Sequence, residues 1–353
     1  MPPWDSIRYS QLEVIAFCEA LKKEAVFFFS ASGNPNLARE ALQEPRVMRY
    51  GHSVGLPLAN NGRRRTPQPQ LKHAVRVVAV VTGGGTGIGL MIVGTLVANG
   101  ARVYIIGLER AELDKITSVY NDAAERSGKS GRMYAIEGDV SKKSEAKRLA
   151  EELAKREPHI TVLFSNAGIT AGHVDTTNLT TADSFRKAYF DDIPEESFAR
   201  VFSTNAVATY WLTFAFLPLL ERWKASPGGA DFAPQIIVTS SMVGWAKDPA
   251  TCATSFPYMF SKSAVGHAVA TLAHALLPLG VRVNGIAPGL FATALTAPGG
   301  GPGARDAAGN AHFAPGAPLA FDVPLAWGRT WTSARSCSAW SRTGWPQNQV
   351  GPR

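Results

Sequence analysis

A tyrosine and a lysine four residues apart are the first residues of this 353-residue chain whose types and spacing suggest chemistry. They are Tyr258 and Lys262, in the run Tyr-Met-Phe-Ser-Lys. On a helix such a pair shares one face. Because an ammonium group favours a nearby phenolate, we expect the pKa of Tyr258 to fall from its ordinary value of about 10. A phenol tuned in this way can give a proton to a carbonyl oxygen or take one from an alcohol.

Taken alone, this spacing occurs by chance on many surface helices, so the elements around it decide its meaning. Ser241 ends the strand predicted over residues 236–241, which precedes the helix predicted over residues 254–277. Its hydroxyl could therefore hydrogen-bond the same substrate oxygen as Tyr258.

A glycine-rich turn is the second feature that suggests chemistry. It follows an apolar, β-branched run at residues 75–81 and precedes an apolar run of helical length at residues 88–97. Gly83 can adopt a backbone conformation that a Cβ would forbid. Gly87 lets the backbone approach a pyrophosphate, and Gly89 lets the helix lie close to the strand. Strand, glycine turn and helix N-terminus together are typical of a nucleotide phosphate site.

The middle of the chain continues as a regular alternation of strand-length and helix-length patterns. Further strands are predicted over residues 101–107, 133–140, 160–165, 236–241 and 281–287. Further helices are predicted over residues 108–125, after a cap at Ser141, over 194–223 and over 254–277. This alternation predicts an α/β fold, a doubly wound parallel sheet of the Rossmann type, with ligands at the carboxyl ends of the strands.

These strands and helices carry the motifs Thr82-Gly83-x-x-x-Gly87-Ile88-Gly89, Asp139, Asn166-Ala167-Gly168, Asn205, Ser241, Tyr258-x-x-x-Lys262 and Pro288-Gly289. In order and spacing, the motifs resemble those of the short-chain dehydrogenase/reductase family. The runs SFPYMFSKSA and VRVNGIAPGLFAT are most similar to fungal members related to 3-oxoacyl carrier-protein reductases. The resemblance implies an NAD(P)(H)-dependent oxidoreductase that interconverts a carbonyl and a secondary alcohol by hydride transfer.

The resemblance also implies a role for each matching residue. Tyr258 would be the general acid/base, Lys262 would lower its pKa and bind the nicotinamide ribose, and Ser241 would polarise the substrate carbonyl. Asn205 would hold the water of a proton relay; the alternative is a helix asparagine that bonds nearby backbone. The implied cofactor contacts are Gly83, Thr86, Gly87, Ile88 and Gly89 at the pyrophosphate, Asp139 and Val140 at the adenine, Asn166, Ala167 and Gly168 along the cleft, and Pro288, Gly289, Phe291 and Thr293 at the nicotinamide amide.

The residue at the end of the strand predicted over residues 101–107 indicates which cofactor is expected. Members that bind NAD place an acidic residue there for the ribose hydroxyls. In this chain Gly107 takes that place and Leu108-Glu109-Arg110 follow. Since Arg110 could meet a 2′-phosphate, we expect NADP in preference to NAD, with Glu109 as the argument for NAD. The histidines show no ligand spacing, so no metal is expected.

The net charge of +8 lies mostly in the flanking segments. Residues 1–73 carry ten Lys and Arg against six Asp and Glu, and residues 297–353 carry five against two. The middle therefore lacks the basic face that a nucleic-acid partner would need. No apolar run reaches the roughly 18 residues of a membrane span. Three scattered cysteines indicate a reduced compartment, so we expect a cytoplasmic protein that acts on a small-molecule carbonyl or alcohol.

Composition divides the chain into three parts. Residues 1–73 are expected to be an irregular or disordered extension, with a helical pattern over 11–29. Residues 74–296 are expected to form the catalytic domain, and the resemblance implies a homodimer through helices 194–223 and 255–278. Residues 297–353 are expected to be a low-order tail without the last helix and strand of the family. We interpret this tail as a frameshifted or mis-spliced reading.

The tail also leaves a second function open. Without the last strand, the sheet would have an open edge, and without the loop and helix, the substrate pocket would be incomplete. The alternative is therefore a non-catalytic nucleotide-binding remnant.

Overall fold

The computed structural model describes most of the region between residues 77 and 296. The described residues are 77–176, 178–229, 232–247, 252–289, 291, 293 and 295–296, with the backbone of 27–30. All of them lie in the first of two units of the chain, residues 1–317, and none lies in the second, residues 318–353. The predicted tail at 297–353 therefore lies outside the described residues.

Seven strands form one sheet among the described residues. In chain order they are β1 (Phe27–Ser30), β2 (Val78–Thr82), β3 (Arg102–Gly107), β4 (Arg132–Glu137), β5 (Val162–Ser165), β6 (Gln235–Thr239) and β7 (Arg282–Ala287). Their spatial order is β1-β7-β6-β5-β2-β3-β4. Strands β2 to β7 pair in parallel, and β1 is antiparallel to β7. The order reverses between β2 and β5, which is the switch point where doubly wound sheets bind ligands.

Helices cover both faces of the sheet. They are α1 (Gly87–Ala98), α2 (Arg110–Arg126), α3 (Lys143–Arg156), α4 (Ala182–Arg186), α5 (Glu195–Phe202), α6 (Ala208–Trp223) and α7 (Phe256–Ala275). Val81 of β2 packs in a core with α1 and α2, whereas its neighbour Val80 packs in a second core with α3, α6 and α7. Both valines are fully buried. The predicted α/β doubly wound fold is confirmed. Each described helix is too short or too polar to cross a bilayer.

Three local predictions differ from the structure. The helix predicted over 194–223 contains a π turn, Ser203–Val207, between α5 and α6. The strand predicted to end at Ser241 ends at Thr239. Ser141 does not cap α3: Lys142 holds that position, because the Ser141 hydroxyl donates instead to the carboxylate of Asp139 at 2.6 Å.

The edge of the sheet at β7 is paired rather than open, so that prediction is wrong. Residues 27–29, at the end of the helix predicted over 11–29, run along β7 with Phe27 opposite Ala287. Three consecutive phenylalanines favour a strand, and an edge strand offers unpaired N–H and C=O groups to such a segment.

Candidate active site

The glycine turn joins β2 to α1 so closely that side chains are excluded. Gly83 has φ of 64°, and a Cβ there would lie 3.0 Å from the Cα of Ala167. A Cβ at Gly89 would lie 2.1 Å from the carbonyl oxygen of Gly83. Thr86 is the N-cap of α1 without a side-chain capping hydrogen bond, and no acidic residue occupies the first turn of this helix. The helix N-terminus therefore keeps its N–H groups and partial positive charge for an anion, so these residues fit a dinucleotide pyrophosphate.

A hydrogen-bond network holds this turn against the neighbouring strands, and the sequence did not predict it. The Thr82 hydroxyl accepts from the backbone N–H groups of Asn166 and Ala167, both at 3.0 Å. The Asn166 amide donates to the carbonyl of Thr82 at 3.1 Å, and its oxygen accepts from the Thr239 hydroxyl at 3.1 Å. The side chain of Asn166 thus joins the ends of β2, β5 and β6. Thr82 could be identified from the sequence because it is the first residue of the glycine motif, whereas no sequence pattern pointed to Thr239.

The predicted pair on α7 forms at the same edge of the sheet. The Nζ of Lys262 lies 5.7 Å from the ring centroid of Tyr258 and donates to the carbonyl of Thr239 at 2.7 Å. Lys262 is buried, while Tyr258 is half-buried. The shared helix face predicted for this pair is therefore present.

The electrostatics of the pair differ from the expectation. Burial raises the pKa of Tyr258 above its ordinary value, and a hydrogen bond with the Ser241 side chain opposes this only in part. Burial also lowers the pKa of Lys262 from 10.5 to about 8. The sequence predicted a lowered tyrosine pKa from the nearby ammonium. Desolvation, which disfavours both charged forms, is the larger effect in this structure.

The shift at Lys262 predicts a pH-dependent stability. Since its folded pKa of about 8 is below the unfolded value of 10.5, the unfolded chain binds more protons between these pH values. The free energy of unfolding should therefore rise with pH across this window. Relative to Lys262→Met, we expect a gain on the order of 3 kcal/mol for the unsubstituted chain. Urea unfolding from pH 8 to 10.5 measures it, with Lys224→Met as an exposed control. A constant difference between chain and variant would contradict the burial of this charge.

Ser241 is placed by a short turn that docks on α7. It is the N-cap of a 3₁₀ turn, Met242–Gly244, and its Oγ accepts from the backbone N–H of Val243 at 3.4 Å. A Cβ at Gly244 would lie 2.9 Å from the carbonyl oxygen of Lys262. The Ser263 hydroxyl donates to the carbonyl of Gly244 at 2.9 Å. The turn thereby brings the Ser241 hydroxyl to Tyr258.

Asn205 lies buried in the π turn, and its side chain makes three hydrogen bonds. Its amide donates to the carbonyl of Ile169 and to the Ser261 hydroxyl, both at 3.0 Å, and its oxygen accepts from the N–H of Ile169 at 2.8 Å. A Cβ at Gly168 would lie 3.3 Å from this oxygen and 3.5 Å from the Nζ of Lys262. Asn205, Gly168 and Lys262 therefore meet at one point, and the alternative of an asparagine that bonds nearby backbone fits the side chain.

The segment after β7 closes the site from the other side. The carbonyl of Pro288 accepts from the N–H of Met242 at 3.1 Å. Thr293 is buried, and its Cγ2 would lie 3.1 Å from a Cβ at Gly87, at the start of α1. Gly289 and Phe291 are half-buried in the same segment. Ile88 is partly buried against the core on the α1 side. Thr293 thus contacts the glycine turn, while Pro288 contacts the short turn that follows Ser241.

Arg110 and Asp139 lie apart from this centre, in a groove of about 540 Å³ at the ends of β3 and β4. The Arg110 guanidinium pairs with Asp114 at 2.7 Å. A hydrogen bond from the Ser141 hydroxyl, with a further contribution from Lys142, holds the pKa of Asp139 below its ordinary value. Val140 is buried in the core beneath. Within the described ranges, no three metal-ligating side chains gather into a cluster.

Comparisons with known proteins agree with this arrangement. A family model described as short chain dehydrogenase matches residues 77–300. The short-chain dehydrogenase/reductase PhomF' of the fungus Diaporthe leptostromiformis is 38% identical over 223 residues, which are 63% of this chain and 72% of the relative. A rhamnolipids biosynthesis 3-oxoacyl-(acyl-carrier-protein) reductase of Pseudomonas aeruginosa is 29% identical, over 62% of this chain and 74% of the relative.

A solved structure supports the fold independently. A short-chain type dehydrogenase/reductase from Mycobacterium marinum matches with a TM-score of 0.50 at 23% identity, over 63% of this chain and 75% of that chain. The resemblance found in the motifs, including that to fungal members, is therefore confirmed. The chain belongs to the short-chain dehydrogenase/reductase family of oxidoreductases.

Proposed function

We propose that this protein interconverts a carbonyl and a secondary alcohol with a nicotinamide dinucleotide. One observation carries the proposal: a continuous hydrogen-bond path connects the proton-transfer pair to the glycine turn. Lys262 donates to the Thr239 carbonyl, the Thr239 hydroxyl donates to Asn166, and the Asn166 amide donates to the carbonyls of Thr82 and Gly83. Lys262, the partner of Tyr258 in the pair, and the turn that would hold the pyrophosphate are thus fixed relative to each other.

The side chains divide the work of the proposed reaction. A bound nicotinamide supplies or accepts the hydride. Tyr258 gives the proton to the carbonyl oxygen during reduction, and its raised pKa keeps it protonated at neutral pH. Ser241 holds the same oxygen, and Lys262 binds the nicotinamide ribose. The proposed relay water is held by Asn205, whose side-chain N–H groups already donate to Ile169 and Ser261.

A substrate panel tests this proposal. The purified chain is mixed with NADPH and a series of ketones and 3-oxoacyl thioesters, and loss of reduced nicotinamide is followed. Turnover of at least one class supports the oxidoreductase. NADPH binding without turnover would favour the alternative, a non-catalytic nucleotide-binding remnant.

For the cofactor we propose NADP in preference to NAD, with Arg110 at the 2′-phosphate. The groove is lined by three cationic residues, Arg110, Lys142 and Arg148, and by four acidic ones, and Asp114 pairs with Arg110. We expect Arg110→Ala to weaken NADPH binding about five- to tenfold and to leave NADH binding unchanged, since only NADPH carries the phosphate. Fluorescence titration of both cofactors measures this, with Arg126→Ala in the last turn of α2 as control. An equal loss for both cofactors would contradict the assignment.

We also propose a homodimer in which a second copy covers α5, α6 and α7. Aromatic side chains remain exposed on these neighbouring helices: Phe198, Tyr210, Phe214 and Phe260. Tyr210 contacts Phe214 with ring centroids 4.9 Å apart, and Phe198 lies 6.2 Å from Phe260. An exposed apolar surface of this kind, spread over three helices, is typical of a protein–protein interface.

The double substitution Tyr210→Glu with Phe214→Glu is expected to give a monomer at micromolar concentration, because it buries two charges in the proposed interface. Light scattering after size exclusion measures the mass. Leu108→Glu, an exposed leucine after β3, is the control and should remain dimeric. A monomeric unsubstituted chain would contradict the dimer.

A cytoplasmic location remains part of the proposal. It is supported by the three cysteines of the chain, which are odd in number and scattered, as is usual in a reduced compartment.

A further inference from the structure

The first turn of α7 carries Tyr258 but has little support of its own. Ser255 is the N-cap and makes no side-chain capping hydrogen bond, and Pro257 occupies the first turn. The first N–H groups of a helix have no partner within it, so a turn without a side-chain cap depends on contacts from outside. Tyr258 is the third residue of this helix. The position of its hydroxyl therefore depends on how firmly the first turn is held.

The segment between β5 and α5 supplies such contacts. It contains α4 and a π turn, Lys187–Asp191. From this turn the Tyr189 hydroxyl donates to the carbonyl of Ala253 at 3.0 Å. Earlier in the segment, the backbone N–H of Val174 donates to the carbonyl of Thr254 at 2.7 Å. Both bonds hold the residues that enter the first turn of α7.

Ring packing adds to these hydrogen bonds. The Tyr189 ring meets the Phe256 ring edge-on, with centroids 5.0 Å apart, and Phe185 lies 5.9 Å from Tyr189 on the other side. Edge-on aromatic pairs of this kind add stability beyond the area they bury. Tyr189 is half-buried, so its ring and its hydroxyl both act at the start of α7.

The geometry of α7 separates Tyr189 from the reacting atoms. Two residues along a helix turn the side chain by about 200°. Phe256 and Phe260, which pack on each other at 5.8 Å, therefore lie on the face opposite Tyr258 and Lys262. Tyr189 contacts the back of the helix and can influence Tyr258 only through it.

We infer that Tyr189 is a positioning residue that fixes Tyr258 by clamping the first turn of α7. The inference rests on the proposed role of Tyr258 in proton transfer. Tyr189→Phe removes the hydrogen bond to Ala253 and keeps the ring, whereas Tyr189→Ala removes both contacts. Phe190→Ala is the matched control, because Phe190 is the next residue in the same π turn and is 78% exposed.

The kinetic test separates positioning from a merely structural role. We expect kcat to fall about fivefold in Tyr189→Phe and about thirtyfold in Tyr189→Ala, with the KM for the carbonyl and the Kd for NADPH within about twofold of the unsubstituted chain. Phe190→Ala should keep its kcat. An unchanged kcat in both Tyr189 variants overturns the inference, and so does a loss that Phe190→Ala shares.

A second readout does not depend on turnover. Hydrogen exchange followed by mass spectrometry reports opening of the first turn of α7, over residues 256–262. We expect exchange about five times faster there in Tyr189→Phe than in Phe190→Ala. Equal exchange in the two variants overturns the clamp. If the unsubstituted chain reduces no substrate, the proposed function fails, and exchange alone then decides whether the clamp exists.

Discussion

Replacing Tyr258 with phenylalanine is expected to lower kcat by about 10²–10⁴-fold, the range that a positioned general acid contributes. The substitution removes one hydroxyl and keeps the ring beside the Lys262 ammonium, 5.7 Å from its centroid. The phenol takes no part in the glycine turn or in the hydrogen bonds of Asn166 with Thr82 and Thr239. We therefore expect the Kd for NADPH and the melting temperature to change little.

Steady-state kinetics on the best substrate of the panel, with NADPH titrated separately, measures both quantities. Tyr134→Phe is the matched control, since Tyr134 lies on β4 and stacks on Tyr104 at 5.0 Å, at the opposite edge of the sheet from β7. A Tyr258→Phe variant that keeps more than about a tenth of the activity would exclude Tyr258 as the proton donor.

Gly89→Ala is expected to abolish measurable dinucleotide binding, with an affinity about a hundredfold or more lower. The new Cβ would lie 2.1 Å from the carbonyl oxygen of Gly83 and 2.6 Å from the amide nitrogen of Asn166. Neither group can move freely, because Asn166 is bonded to Thr82 and Thr239. Helix α1 must therefore shift away from the turn, at a cost typical of overpacking, about 1–3 kcal/mol or more.

Calorimetric titration with NADPH and thermal unfolding measure the two consequences. Gly285→Ala is the control, because a Cβ in that strand would meet Val269 at 3.4 Å, an ordinary contact distance. Tight NADPH binding by Gly89→Ala would mean that the close approach of α1 to the turn is not needed for the cofactor.

Much of the fold follows from local pattern. The run at 75–81 predicted a central strand, and Val80 and Val81 are buried on opposite faces of β2. The glycine spacing predicted the turn, because only glycine fits at Gly83 and Gly89. The motifs at strand ends converged because parallel strands present their carboxyl ends at one edge of a sheet.

Other features depend on contacts between distant residues, which local pattern does not encode. The π turn at Asn205 accompanies hydrogen bonds to Ile169 and Ser261, 36 and 56 residues away. The raised pKa of Tyr258 depends on how closely other elements surround it. The pairing of residues 27–30 with β7 likewise joins segments far apart in the chain, whereas the local mixture of apolar and charged residues suggested a helix there.

The most direct test of the proposed function follows the hydride itself. The chain is incubated in single turnover with a ketone and NADPH that carries deuterium at the transferable position, and the alcohol is analysed by mass spectrometry. We predict one deuterium at the former carbonyl carbon for each NADPH consumed. NADPH that binds but leaves every carbonyl of the panel unlabelled would contradict the account.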